Sequence, residues 1–155
     1  MTTLTRATFG AAALALSAFA AQAGDIEAGA SAFQSQCQNC HNVTNAEGDV
    51  LAGRPNVRTG PNLYGVIGRQ AGTEDFRYGA SLVEAGEAGL VWTAEDMVPY
   101  LLDPTSFLRE TLGNNRARSQ MSFRVRDDAT AENIIAFLAQ FGAVEEAEED
   151  EASGS

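Results

Sequence analysis

Between Asp25 and Cys37 the apolar positions Ile26, Ala30, Phe33 and Cys37 recur at helical spacing. They predict one amphipathic helix, with Asp25 and Glu27 at the end where carboxylates suit the helix dipole. From Asn42 to Arg69 that period is lost. Gly48, Gly53, Pro55, Gly60, Pro61, Asn62, Gly65 and Gly68 predict a long ordered loop with at most a turn of helix, and a loop of this length commonly wraps something. A short helix is expected over Gly79 to Glu87. A second begins at Thr93, with Asp96 three residues on, and runs through Met97, Tyr100 and Leu101 to Pro104. Pro99 inside it should cost a hydrogen bond or bend the axis. Thr105 to Arg126 is mostly polar, with Gly113-Asn114-Asn115 as a turn signal, and reads as loop with at most a helical turn near Phe107 and Leu108. The last helix takes Asp128 or Thr130 as its cap, presents Ile134, Ile135, Phe137, Leu138 and Phe141 on one face, and ends at Gly142. No repeat and no sustained alternation of period two is present, so the expected class is all-α, with four to five helices.

The two ends read differently. Arg6, the apolar run Phe9 to Ala20, and Ala21-Gln22-Ala23 form the charged start, short apolar middle and small-residue end of a secretory signal, with cleavage expected after Ala23. About a dozen Ala-rich residues fall short of the ~20 needed to span a bilayer, so the exported product is expected to be soluble, not membrane-embedded, and periplasmic. Residues 24–143 form the expected domain. Residues 144–155, with six acids and no large apolar residue after Val144, read as a disordered, solvated tail.

The 155 residues, 45% of them hydrophobic, suit a single core. Ten basic residues, every one Arg, face twenty-one acidic ones for a net charge of −11, and removal of Arg6 with the signal makes it −12. That balance excludes a sequence-independent nucleic-acid binder, which works by neutralising phosphates. Two Cys and one His are too few for a disulfide-stapled scaffold or an ordinary four-ligand zinc site.

Those three residues fall together as Cys37-Gln38-Asn39-Cys40-His41, the C-x-x-C-H pattern of covalent c-type haem attachment. Residues three apart on a turn of helix share a face, so both sulfurs reach the two vinyl groups of one porphyrin, and the next residue can place its imidazole under the iron. A bare C-x-x-C in an exported protein can instead be a disulfide. In a thioredoxin-like setting it is catalytic, but that fold needs a βαβ pattern absent here. With His41 on one axial position, the other has no second His to take it; Met97 and Met121 are the remaining thioethers once the signal is removed. Met97 lies at core spacing among Trp92, Tyr100 and Leu101 and reads as filler. Met121 sits in a polar loop, where a filler has little reason to be, and is the expected ligand.

At this point the chain resembles the class I c-type cytochromes, and within them the bacterial cytochrome c2 group, over nearly all of Gly24 to Gly142. The resemblance is carried by CQNCH, the run Thr59 to Arg69, Phe76-Arg77-Tyr78, Trp92, Tyr100 to Pro104, Met121-Ser122-Phe123 and the apolar run of the final helix. It implies helices wrapped around one covalently attached haem c and a one-electron carrier, not an enzyme. It further implies that the Pro61 carbonyl accepts the other ring N–H of His41. Arg69, Tyr78 and Trp92 would lie at the propionates, Tyr100 near the Met121 sulfur, Phe123 against the cofactor, and Gly29 and Phe33 against Phe137. Electrons would come from a membrane cytochrome bc complex and go to a photosynthetic reaction centre or a terminal oxidase, placing the chain in photosynthesis or respiration as a monomer. The family often carries Lys around the haem edge; here Arg116, Arg118, Arg124 and Arg126 surround Met121 and are the candidate docking patch. Two other readings stay open: an acceptor dedicated to a periplasmic dehydrogenase, and a ligand-binding haem protein if Met121 is not a ligand.

Overall fold

In the computed structural model of the protein, residues 24–142 are described; the predicted signal segment and acidic tail lie outside the described residues. Asp25 opens α1 (Ile26–Ala32) by accepting the backbone N–H groups of Glu27 and Ala28, each at 2.9 Å. The predicted single helix then widens into a π-turn, Phe33–Cys37, in which the Gln38 N–H reaches back five residues to the Phe33 carbonyl. The Ser35 hydroxyl donates to the carbonyls of Ser31 and Ala32, a side-chain competitor that helps open the regular ladder here.

The stretch expected to be loop contains a small antiparallel hairpin, β1 (Asn42–Thr44) with β2 (Val50–Gly53), which corrects the expectation of at most a helical turn. Its strands are too short to show alternation, and a slip of register between Val43 and Thr44 erases what little there is. The Asn45 and Asp49 side chains and backbone close the turn on one another.

Next come α2 (Ala80–Glu87) and α3 (Ala94–Leu102), the latter capped by Thr93, whose hydroxyl accepts the Asp96 N–H and donates to its carboxylate. Pro99 lies exposed within α3, which ends three residues later. Pro104, expected from the sequence only to end α3, also begins α4 (Pro104–Leu112), in a stretch expected to be loop with at most a helical turn. Asp103 accepts the Ser106 N–H as cap, proline occupies the first turn where its missing N–H costs nothing, and Gly113 at φ 59° closes the end in the left-handed conformation. Pro104 and Leu108, four apart, are fully covered, so a helical stripe was present in a stretch too polar overall to reveal it. The cap of α5 (Asp128–Leu138) is Asp127 rather than Asp128 or Thr130; Thr130 is the residue it holds, through both backbone N–H and hydroxyl. The helix stops at Leu138, short of Gly142.

The two ends of the described chain cross. Gly29 of α1 lies so close to α5 that a methyl group there would overlap the Asn133 carbonyl, and Phe33 packs against Phe137 with ring centroids 5.5 Å apart and the planes tilted by 44°. The Asp25 N–H donates to the Asn133 side chain at 2.7 Å. Behind this crossing Ile134, Ile135 and Leu138 join Val43, Leu101, Leu108 and Val125 in one core. Among the described residues there are five α-helices, the π-turn and one short hairpin, a mostly helical fold.

Candidate functional site

The π-turn ends at Cys37, and the N–H groups of Cys40 and His41 both donate to its carbonyl at 3.0 Å. The chain is thereby wound through one tight turn that carries both thiols, free in the structure, and the imidazole. Burial, with the neighbouring Cys40 charge adding to it, pushes the Cys37 thiol up to about 11, so it is held protonated at neutral pH.

His41 is oriented from the following loop. Its Nδ1 lies 2.9 Å from the Pro61 carbonyl, which can only accept; Nδ1 therefore carries the proton and Nε2 presents its lone pair. Burial lowers the imidazole pKa, with the Pro61 bond acting the other way, so the neutral form is favoured. The loop reaches this position because Gly60 has no side chain: a Cβ there would collide with the His41 ring. The Gly60 N–H donates to the Cys40 carbonyl at 2.7 Å and Leu63 N–H to Asn42, while the Asn62 side chain brackets Thr44 with two bonds.

Met121 lies half-buried on a strap between α4 and α5 and packs against the core, whereas Met97 is 5% exposed inside it. The strap is stitched to three helices. Arg118 N–H donates to the Ser81 hydroxyl of α2, Ser119 N–H to the Thr105 hydroxyl of α4, and Val125 N–H to the Leu101 carbonyl of α3. The Ser119 hydroxyl accepts the Met121 N–H at 3.1 Å and lies 3.3 Å from the Tyr100 hydroxyl. Tyr100 thus meets the backbone of the Met121 strap through Ser119. Burial raises its pKa against the opposing Ser119 bond, keeping the phenol neutral.

Trp92 is buried, with Tyr100 at 4.7 Å and Phe107 of α4 at 5.9 Å between ring centroids. Arg69 donates to the carbonyls of Asn62 and Tyr64 and to the Glu74 carboxylate. Burial raises the pKa of Tyr78, with the Arg69 charge opposing and the Glu74 charge reinforcing the rise, so Arg69, Glu74 and Tyr78 form one cluster. Phe123 is exposed and lines a cleft with Gln36, Arg124, Arg126 and Thr130, which brings the strap alongside the residue before Cys37. Glu74 and Ser119 were not singled out from the sequence, and Gly60 and Asn62 entered only as loop signals in a Gly-, Asn- and Pro-rich run, with no contact to His41 or Thr44 foreseen.

The donor set suits haem c. Among the described residues no cluster of three or more His, Cys, Asp or Glu could cage a bare ion. Two unpaired thiols and a neutral imidazole on one turn instead suit a group that brings its own equatorial ligands and takes covalent tethers from sulfur. No described helix is long and apolar enough to cross a membrane.

No family model matches the chain, but individual proteins do. It is 50% identical over 133 residues to a cytochrome c2 of Cereibacter sphaeroides, covering 81% of this chain and 90% of that one. It is 52% identical over 116 residues to cytochrome c-551 of Roseobacter denitrificans, covering 75% and 80%. Among solved structures it matches cytochrome c2 from Rhodobacter sphaeroides with a TM-score of 0.74 at 50% identity, over 77% of this chain and 98% of that chain.

Proposed function

Because the chain belongs to the cytochrome c2 family of class I c-type cytochromes, electron carriers and not enzymes that hold haem c covalently, we propose that it is a periplasmic one-electron shuttle with His41 and Met121 as its axial ligands. The observation that carries this reading is the His41–Pro61 bond, which leaves Nε2 free to coordinate on the same turn of chain as two free thiols.

Cys37 and Cys40 tether the haem, which when bound supplies a ferrous/ferric couple. Pro61 and Gly60 fix the imidazole so that its orientation does not change with the charge of the site. Ser119 and Thr105 hold the strap that delivers the Met121 sulfur. With the His41 ring and the Met121 strap each held by the protein, a haem bound by both would rearrange little during electron transfer, and thioether ligation with burial would favour its ferrous state, as both disfavour added positive charge. Arg69, Tyr78 and Trp92 would hold the cofactor's propionates, Tyr100 would support the Met121 strap through Ser119, and Phe123 would pack against the cofactor. Arg116, Arg118, Arg124 and Arg126 are all exposed, and this basic strap on an acidic molecule would orient it toward acidic partners. Those partners are a membrane cytochrome bc complex as donor and a photosynthetic reaction centre or terminal oxidase as acceptor.

The test is the near-infrared spectrum of the oxidised holoprotein. A weak sulfur-to-iron band should be present and should vanish in Met121→Ala. A wild type without that band has its sixth position open or otherwise filled, and the ligand-binding reading replaces the shuttle.

A further inference from the structure

The most enclosed ion pair among the described residues lies beside the His41 loop. Arg69 Nη1 donates to Glu74 Oε2 at 2.7 Å, with the two side chains only 18% and 27% exposed. The other pair, Arg124–Asp103, is longer at 3.1 Å and far more exposed, at 60% and 32%. The position of the inner pair matters more than its strength. Arg69 grips the carbonyls of Asn62 and Tyr64 at 2.9 and 3.0 Å, and these residues follow Pro61, the residue that orients His41. A full positive charge is therefore held against the segment that carries the ligand's hydrogen-bond partner, and Glu74 stands opposite it.

We propose that Glu74 is a charge-setting residue: by compensating Arg69 beside the His41 loop, it lowers the reduction potential of the bound haem. The inference rests on the electron-carrier reading above. Its physics is direct. Oxidation adds one positive charge at the iron, and an uncompensated guanidinium nearby opposes that addition. A carboxylate paired with the guanidinium cancels much of its field, and partial burial limits screening by salt. Removing the carboxylate charge should therefore favour the ferrous state.

The experiment is equilibrium redox titration of the haem-loaded wild type, Glu74→Gln and Glu74→Asp. Gln keeps the size of Glu and an oxygen that can accept the Arg69 N–H, so the loop retains its bond while the charge is lost. The expected result is an upward shift of the midpoint in Glu74→Gln and a smaller displacement in Glu74→Asp, which keeps the charge. An unchanged or lowered midpoint in Glu74→Gln, or an equal rise in both variants, overturns the proposal. The near-infrared band is read on the same samples. A band present in all three with no shift of midpoint sinks this proposal and leaves Met121 as ligand. A raised midpoint in Glu74→Gln without the band in any of them sustains the charge effect and removes the axial assignment instead.

Discussion

A methyl group at Gly60 meets the imidazole of His41, and one at Gly29 meets the Asn133 carbonyl; the two collisions should be felt differently. Each substitution to Ala forces a close contact apart, at a cost of about 1–3 kcal/mol, measurable by denaturant unfolding. Gly60→Ala should also displace the ring that Pro61 orients, reducing covalent haem per chain and disturbing the haem spectrum. Gly29→Ala should lose stability alone, with the spectrum kept; a disturbed spectrum there would place the helix crossing and the site in one unit. Cys37, Cys40 and His41 were legible as a contiguous motif, whereas the Pro61 carbonyl as the partner of His41 came only with the family resemblance. Glu74 and Ser119 were not legible, since each matters through a partner brought near by folding: Glu74 through Arg69, Ser119 through Tyr100.

At the scale of elements, helix ends carry the informative contacts. The Asp127 carboxyl is held below the usual carboxylate range by the Thr130 backbone N–H and then its hydroxyl. Because its folded pKa is depressed, its stabilising effect is complete above the ordinary value of about 4 and fades as pH falls through the lower folded value. Asp127→Ala should lower the melting temperature at neutral pH by a few degrees. Asp127→Asn should lose little there and show a flatter decline of stability below about pH 4, because Asn caps without titrating. A decline as steep as wild type's would assign the acid limb to other carboxylates. Element prediction succeeded where apolar period and cap coincide, as in α3 with its Thr93 and Asp96 pair. It failed at α4, because Pro104 serves as an end to one helix and as the first residue of the next. It also failed at the hairpin, whose strands of three and four residues leave no alternation to read.

For the whole molecule, charge distribution decides more than net charge. Nine basic residues remain after Arg6, and four of them lie within Arg116 to Arg126, while six of the acids follow Val144. If this strap faces the partner, changing Arg116, Arg118 or Arg126 to Gln should flatten the dependence of electron-transfer rate on ionic strength. Arg124→Gln should flatten it least, since Asp103 already takes part of that charge. Equal slopes in all four variants and the wild type would remove the strap from the docking surface. The crossing of α1 with α5 also sets an order of events. Synthesis runs from the N-terminus, so Cys37, Cys40 and His41 exist long before Asn133 and Phe137, the residues that lock α1 in place. Until Asn133 and Phe137 are in place the segment that bears both thiols has no helix to cross, so an attachment step that needs an open chain is expected to precede the crossing of the first helix with the last.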